Sequence, residues 1–232
     1  MCGTILRRFA TLAGVIAIVP TIASAQLGGK FVLTPYVGVY SPANDIAKID
    51  VGSSQLGARM SAKHESSAAY GANLSYWMSD NWAFELGGAY SASGLRSSGL
   101  IADPTGSTAG AATEGAHIVL GSAKMMMQLF PSTSDFNMRL GFGPAIISRG
   151  GSAYASDADG KVTGLTDLGA AISLCSRLNF TQNLGVRVRV EDYIYQGRLG
   201  WAATNPSESF TFPEKMQHDF VISAGLQVFL NR

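Results

Sequence analysis

The sequence predicts an all-β chain, an eight-stranded antiparallel up-and-down transmembrane β-barrel. Three observations carry that reading. Eight stretches alternate polar and apolar residues with period two, and their connections alternate between short and long. Charged residues make up only 14% of the chain, well under the roughly 25% of an ordinary soluble domain. No stretch beyond residue 25 approaches the ~18 consecutive apolar residues of a membrane helix. Low charge without such a helix fits strands that keep one side in lipid.

Residues 1–25 read as a signal peptide: Arg7 and Arg8, an apolar stretch from Phe9 to Val19, then the small-residue site Ala23-Ser24-Ala25. The apolar stretch is about half the ~20 residues a spanning helix needs. The mature chain, residues 26–232, is expected to form one barrel domain. Losing Arg7 and Arg8 turns the formal charge from +1 to −1, so nothing advertises a nucleic-acid partner. Cys2 leaves with the signal and Cys175 remains alone, which leaves no disulfide within the chain. His64, His117 and His218 are scattered without ligand spacing, and no metal or cofactor is implied.

In chain order, the strands are expected at about Lys30 to Tyr40, Ala68 to Met78, Trp82 to Ser91, Ala116 to Phe130, Phe136 to Ser148, Leu165 to Asn179, Leu184 to Gln196 and His218 to Leu230. Each reaches the ~9 to 11 residues of a tilted membrane strand. The connections run about 27, 3, 24, 5, 16, 4 and 21 residues, the short-turn, long-loop rhythm of a membrane barrel. The short ones, Ser79-Asp80-Asn81, Pro131 to Asp135 and Phe180 to Asn183, would face the periplasm. The long ones, rich in Gly, Ser, Ala and Asp, would face outward.

Parity assigns the faces. In the second strand Tyr70, Ala72, Leu74 and Tyr76 oppose Gly71, Asn73 and Ser75; in the third, Trp82, Phe84, Leu86 and Tyr90 oppose Ala83, Glu85 and Gly87. The fourth turns Lys124 and Gln128 inward, with Val119, Met125, Met127 and Leu129 outward. The fifth sets Met138, Leu140 and Phe142 against Asn137, Arg139 and Gly141. In the seventh, Leu184, Val186, Val188 and Val190 oppose Arg187, Arg189 and Glu191. A one-residue slip there would drive both arginines into hydrocarbon at ~2 to 4 kcal/mol each near the midplane. The last strand sets Phe220, Ile222, Leu226 and Val228 against Val221, Ser223, Gly225 and Gln227.

Two positions strain this scheme. Asp192 falls on the lipid side, which requires either a place near the outer interface or a bulge that resets the phase. Pro144 lacks a ladder donor, and a bulge is expected there. Aromatics at strand ends, Tyr76, Trp77, Trp82, Phe136 and Phe180 by the short turns and Tyr40 and Tyr90 by the long loops, would form interfacial girdles.

These residues resemble the small outer-membrane β-barrel proteins related to the OmpA transmembrane domain, OmpX and OmpW. The resemblance is carried by Pro35-Tyr36-Val37-Gly38-Val39-Tyr40-Ser41-Pro42, by Leu74-Ser75-Tyr76-Trp77 followed by Asn81-Trp82-Ala83-Phe84-Glu85-Leu86, and by Arg189-Val190-Glu191-Asp192-Tyr193. The final strand is similar to the signal read by the barrel assembly machinery, with Ser223, Gly225, Val228 and Leu230, although it closes on Asn231-Arg232 rather than an aromatic. The resemblance implies the outer membrane of a Gram-negative bacterium, with outer-membrane lipid and lipopolysaccharide as surroundings, the assembly machinery as partner during biogenesis, and a monomer.

Eight strands enclose a bore that side chains can fill. Glu85, Lys124, Arg139, Arg187, Arg189 and Glu191 would project into it and pair as a structural plug, since unpaired buried charge is costly. The expected role is therefore non-enzymatic: an envelope barrel whose long loops are available for surface interaction. A narrow gated channel is the alternative. A third class is a lipid A-modifying enzyme, for which His64-Glu65-Ser66 offers a His-x-Ser pair without an orienting group. Asp157-Ala158-Asp159-Gly160 is only superficially similar to a calcium loop, the other ligand positions being absent.

Overall fold

The computed structural model describes residues 30–52, 57–103, 106–130, 136–156, 158–181, 184–205, 207 and 209–230. The predicted signal peptide, the turn at 131–135 and part of that at 180–183 lie outside the described residues. Within them the strands follow as β1 (Lys30–Pro42), β2 (Ala47–Gly52), β3 (Gly57–His64), β4 (Ser67–Trp77), β5 (Trp82–Asp103), β6 (Gly106–Gln128), β7 (Phe136–Gly150), β8 (Gly160–Thr163), β9 (Thr166–Asn179), β10 (Leu184–Gly197), β11 (Gly200–Ala203), β12 (Phe210–Thr211) and β13 (Lys215–Phe229).

Eight of these form the barrel. β1, β4, β5, β6, β7, β9, β10 and β13 pair antiparallel in that order, and β13 returns to β1 through pairs such as Val37↔Ala224 and Tyr40↔Val221. Closure leaves no free edge in the ring, so backbone donors and acceptors find their partners mostly within the wall.

The period-two pattern fixes which side faces out. On the outside, Tyr70↔Tyr90, Leu74↔Leu86 and Tyr76↔Phe84 pair across β4 and β5, and Val186↔Leu226 and Val190↔Ile222 across β10 and β13. Tyr70, Leu86, Val188 and Ile222 are exposed, while Glu85, Lys124, Arg187 and Glu191 are buried. A water-soluble barrel has the opposite arrangement. At roughly 25 cal/mol per Å², this apolar exterior is stable only against acyl chains. No helix among the described residues is long and apolar enough to cross a membrane; the strands do the crossing.

Four expectations need correction. Trp77 and Tyr40 face inward, Tyr40 being buried. Both sit one residue out of phase with the lipid-facing Tyr76 and Val39, and parity overrides their place at a strand end. Pro144 makes no bulge: it is exposed, its pairing with β9 is continuous, and Met125↔Phe142 and Ser122↔Ala145 keep one offset with β6. The ladder with β6 simply lapses between those two pairs, so the missing donor removes a bond without adding a residue. Asp192 needs no correction: of the two arrangements expected for it, the bulge is absent and strict parity is kept, and its Oδ2 lies 2.9 Å from His218 Nδ1.

The fourth correction concerns the long loops, which are folded. β5 and β6 run on together to Asp103↔Gly106, β3 lies along β5 from His64↔Leu95 to Gly57↔Ala102, and β2 pairs with β3. β8, β11 and β12 make a separate small sheet from the third and fourth loops. A cluster of Ile46, Ala47, Ala116, Tyr154 and Leu199, with Leu95, Val162 and Phe212 against it, gives this outer region a core of its own.

Candidate functional site

The barrel interior is layered. β10 places Arg187, Arg189 and Glu191 on successive inward positions, opposite the small Gly225 and Ser223 of β13. A side chain at Gly225 would have its Cβ 2.8 Å from that of Tyr36, so glycine there leaves room for the bulk that neighbours it. β5 and β10 lie on opposite sides of the ring. Even so, Arg187 Nη1 donates to Glu85 Oε2 at 2.5 Å and Arg189 Nη1 to Glu85 Oε1 at 3.0 Å. Charge-assisted bonds therefore cross the full bore.

Lys124 of β6 joins the two carboxylates, pairing with Glu191 and lying 3.5 Å from Glu85. Arg189 also reaches Glu191 at 3.3 Å. Ser75 Oγ donates to Glu85 at 2.8 Å and Ser122 Oγ to Glu191 at 3.4 Å. Three cations thus share two carboxylates. The π face of Tyr36, 5.1 Å from the Arg189 guanidinium, takes part of the excess. Five of the six residues expected in the lumen meet in this one network.

Arg139 is the exception. It is buried, but it lies on the short-turn side of the network, with its guanidinium 4.2 Å from the centre of the Trp77 ring. Among the described residues it pairs with no carboxylate.

Toward the loops the lumen is apolar and aromatic rather than polar, filled by Tyr40, Ile118, Leu120, Ile147, Tyr193 and Val221. Above them Arg149 pairs with Asp167 at 2.5 Å, and Tyr195 donates to Asp219 at 2.8 Å. Arg149, Asp167 and Asp219 were missed by sequence reasoning. Carrying the fifth strand's parity one residue past its expected end finds Arg149, and Asp167 and Asp219 already lay within their expected strands at inward parity.

His64 and Ser66 are not brought together. His64 is buried, with Nε2 2.7 Å from the Tyr154 hydroxyl, whereas Ser66 Oγ donates to Ser41 Oγ at 3.2 Å. Burial, reinforced by the nearby Arg149 charge, lowers the His64 pKa to about 4. His64 is therefore neutral at neutral pH and acts as a tie between the first and third loops. Asp157 lies outside the described residues, and among those described no three acidic, His or Cys side chains gather as a metal site.

No family model and no curated protein matches the sequence. Solved structures do. The crystal structure of the outer membrane protein OprG from Pseudomonas aeruginosa superposes with a TM-score of 0.60 at 14% identity, covering 86% of this chain and 95% of that one. The solid-state NMR structure of the outer membrane protein AlkL in DMPC lipid bilayers gives a TM-score of 0.50 at 14% identity, covering 89% and 92%. At such identity the likeness is one of fold.

Proposed function

Since the chain folds as a small eight-stranded barrel of the outer-membrane kind, we propose that it is a sealed, non-enzymatic envelope protein whose folded outer region offers a surface for interaction. The observation that carries this reading is the bond between opposite walls, Glu85 on β5 with Arg187 and Arg189 on β10. A bore crossed by ion pairs, packed with Tyr40, Tyr193 and Ile147 above them and capped by the Ile46–Tyr154–Leu199 cluster, supports a sealed reading. The predicted signal peptide would deliver the chain through the periplasm. Outer-membrane lipid and lipopolysaccharide would cover the apolar exterior, with the barrel a monomer. Long loops on a rigid scaffold are where binding commonly resides.

Planar-bilayer recording tests the sealed bore. The refolded full-length mature barrel is expected to show no current steps above leak. Regular steps in the wild type that change when Arg187→Gln or Arg189→Gln is introduced would replace this reading with a gated channel.

A further inference from the structure

At the short-turn end the barrel opens into a cavity of about 500 Å³ whose walls include Lys30, Trp77, Asp80, Gln128, Arg139 and Arg177. Among the described residues that line it, three are basic and one is acidic, and the acidic one, Asp80, sits in the exposed turn at the rim. The deepest charge is Arg139, 2% exposed, with an Nε that has no hydrogen-bond partner. The carboxylates deeper in the bore, Glu85 and Glu191, are already engaged by Lys124, Arg187 and Arg189. What faces Arg139 is the π face of Trp77, worth about 0.5 to 2 kcal/mol. Burying a guanidinium costs several kcal/mol unless a counter-charge compensates. The Trp77 Nε1 and Gln128 Nε2 donors are likewise buried without partners.

We propose that this mouth is a binding site for a phosphoryl oxyanion, with Arg139 and Arg177 as its charged fork, Lys30 at the entrance and Trp77 and Gln128 as neutral donors. A tetrahedral oxyanion accepts several such bonds at once, and guanidinium presents paired N–H groups in matching geometry. A single carboxylate would leave most of this donor set and charge unused. With the short turns toward the periplasm, as their length implies, the mouth faces the periplasm and the inner leaflet. The oxyanion is then either free phosphate or the phosphodiester of a phospholipid headgroup. The site is independent of whether the bore is sealed.

The test uses the refolded mature chain in an uncharged maltoside detergent at constant ionic strength, with chloride as the reference anion. Inorganic phosphate is titrated while tryptophan emission and heat are recorded. Saturable binding is expected, with the emission change lost in Trp77→Phe and affinity about tenfold weaker in Arg139→Gln. Arg96→Gln, an exposed position in the outer region, should bind as the wild type does. If Arg139→Gln fails the heat-modifiability test for folding, Arg139→Lys and Arg177→Gln take its place, each with weakened binding expected. In phosphatidylglycerol nanodiscs a lipid headgroup would pre-empt the site and abolish the response to added phosphate; an unchanged response would identify free phosphate as the occupant. No saturable change in detergent, or equal affinity in all Arg139 and Arg177 variants that fold, overturns the proposal.

Discussion

β5 is one continuous strand with two different histories. From Trp82 to Ser91 it alternates strictly, Phe84, Leu86 and Tyr90 exposed and Ala83, Glu85 and Ala89 buried. From Ala92 to Asp103 the backbone pairing with β6 continues unbroken, yet the residues are mostly small and polar, and Arg96, Ser97 and Ser98 are exposed in succession. The difference teaches what writes the alternation. Lipid on one side and a closed lumen on the other enforce period two; beyond the membrane the outer extension meets water over much of its surface and is under no such demand, although the hydrogen-bond ladder is the same.

The largest expected effect breaks the inner side of that comparison. Among the described residues, Glu85→Gln leaves Glu191 as the one carboxylate of the network that holds Lys124, Arg187 and Arg189. Removing one partner of a buried ionic network costs about 3 to 5 kcal/mol, because the remaining charges stay buried. The urea midpoint of the refolded barrel should fall accordingly and heat-modifiable mobility should be lost at a lower temperature. A midpoint within error of the wild type would mean that the network does not hold the bore.

A smaller effect sharpens the outer side. Val188→Arg places a charge on the exposed flank of β10, where the penalty is about 2 to 4 kcal/mol near the midplane. Ala111→Arg, on the exposed outer stretch of β6, should change stability by less than about 0.5 kcal/mol. Equilibrium unfolding from vesicles compares the two directly. Equal costs would remove the distinction between the wall in lipid and the wall in water.

The same contrast explains what was legible in the sequence. All eight barrel strands could be read, and the faces of six of them, most firmly in the seventh, because Arg187, Arg189 and Glu191 alternate with Val186, Val188 and Val190 under a severe penalty for slipping. Lys124 was legible for the same reason. The outer continuation of β5 and β6 looked like loops because Ser, Gly and Ala on both faces leave little period to detect, whereas β2 and β3 do alternate but, at 6 and 8 residues, fall short of the ~9 to 11 residues of a membrane strand. That Arg139 would stand apart from Glu85 could not be read either. Parity says that a side chain points inward, whereas depth along the bore depends on strand stagger, which no local pattern records. Trp77 shows the cost of using position instead of parity: near the end of a strand it looked interfacial, yet its odd number beside Tyr76 already turned it inward.

The smallest effect lies in the outer region and depends on pH. His64 is held at a pKa of about 4 by burial and by Arg149, against about 6.5 in an unfolded loop. Between these values the unfolded form binds the proton more tightly, so the folded arrangement loses stability as pH falls through that window and levels off below pH 4. From pH 7.5 to 6 the loss should stay below about 1 kcal/mol, confined to the tie between His64 and Tyr154. Hydrogen exchange resolves it: amides of β3 and of residues 152–154 should exchange faster at pH 6, after correction for intrinsic rates, while those of the Glu85 layer hold. His117 and His218 lie elsewhere in the fold, so His64→Gln is the control, and it should abolish the pH response of the cap. A pH response that survives in His64→Gln would assign the cap's sensitivity to another group. Acceleration shared equally by the barrel wall would show that the cap and the wall unfold as one unit, which the separate core around Ile46 and Leu199 argues against.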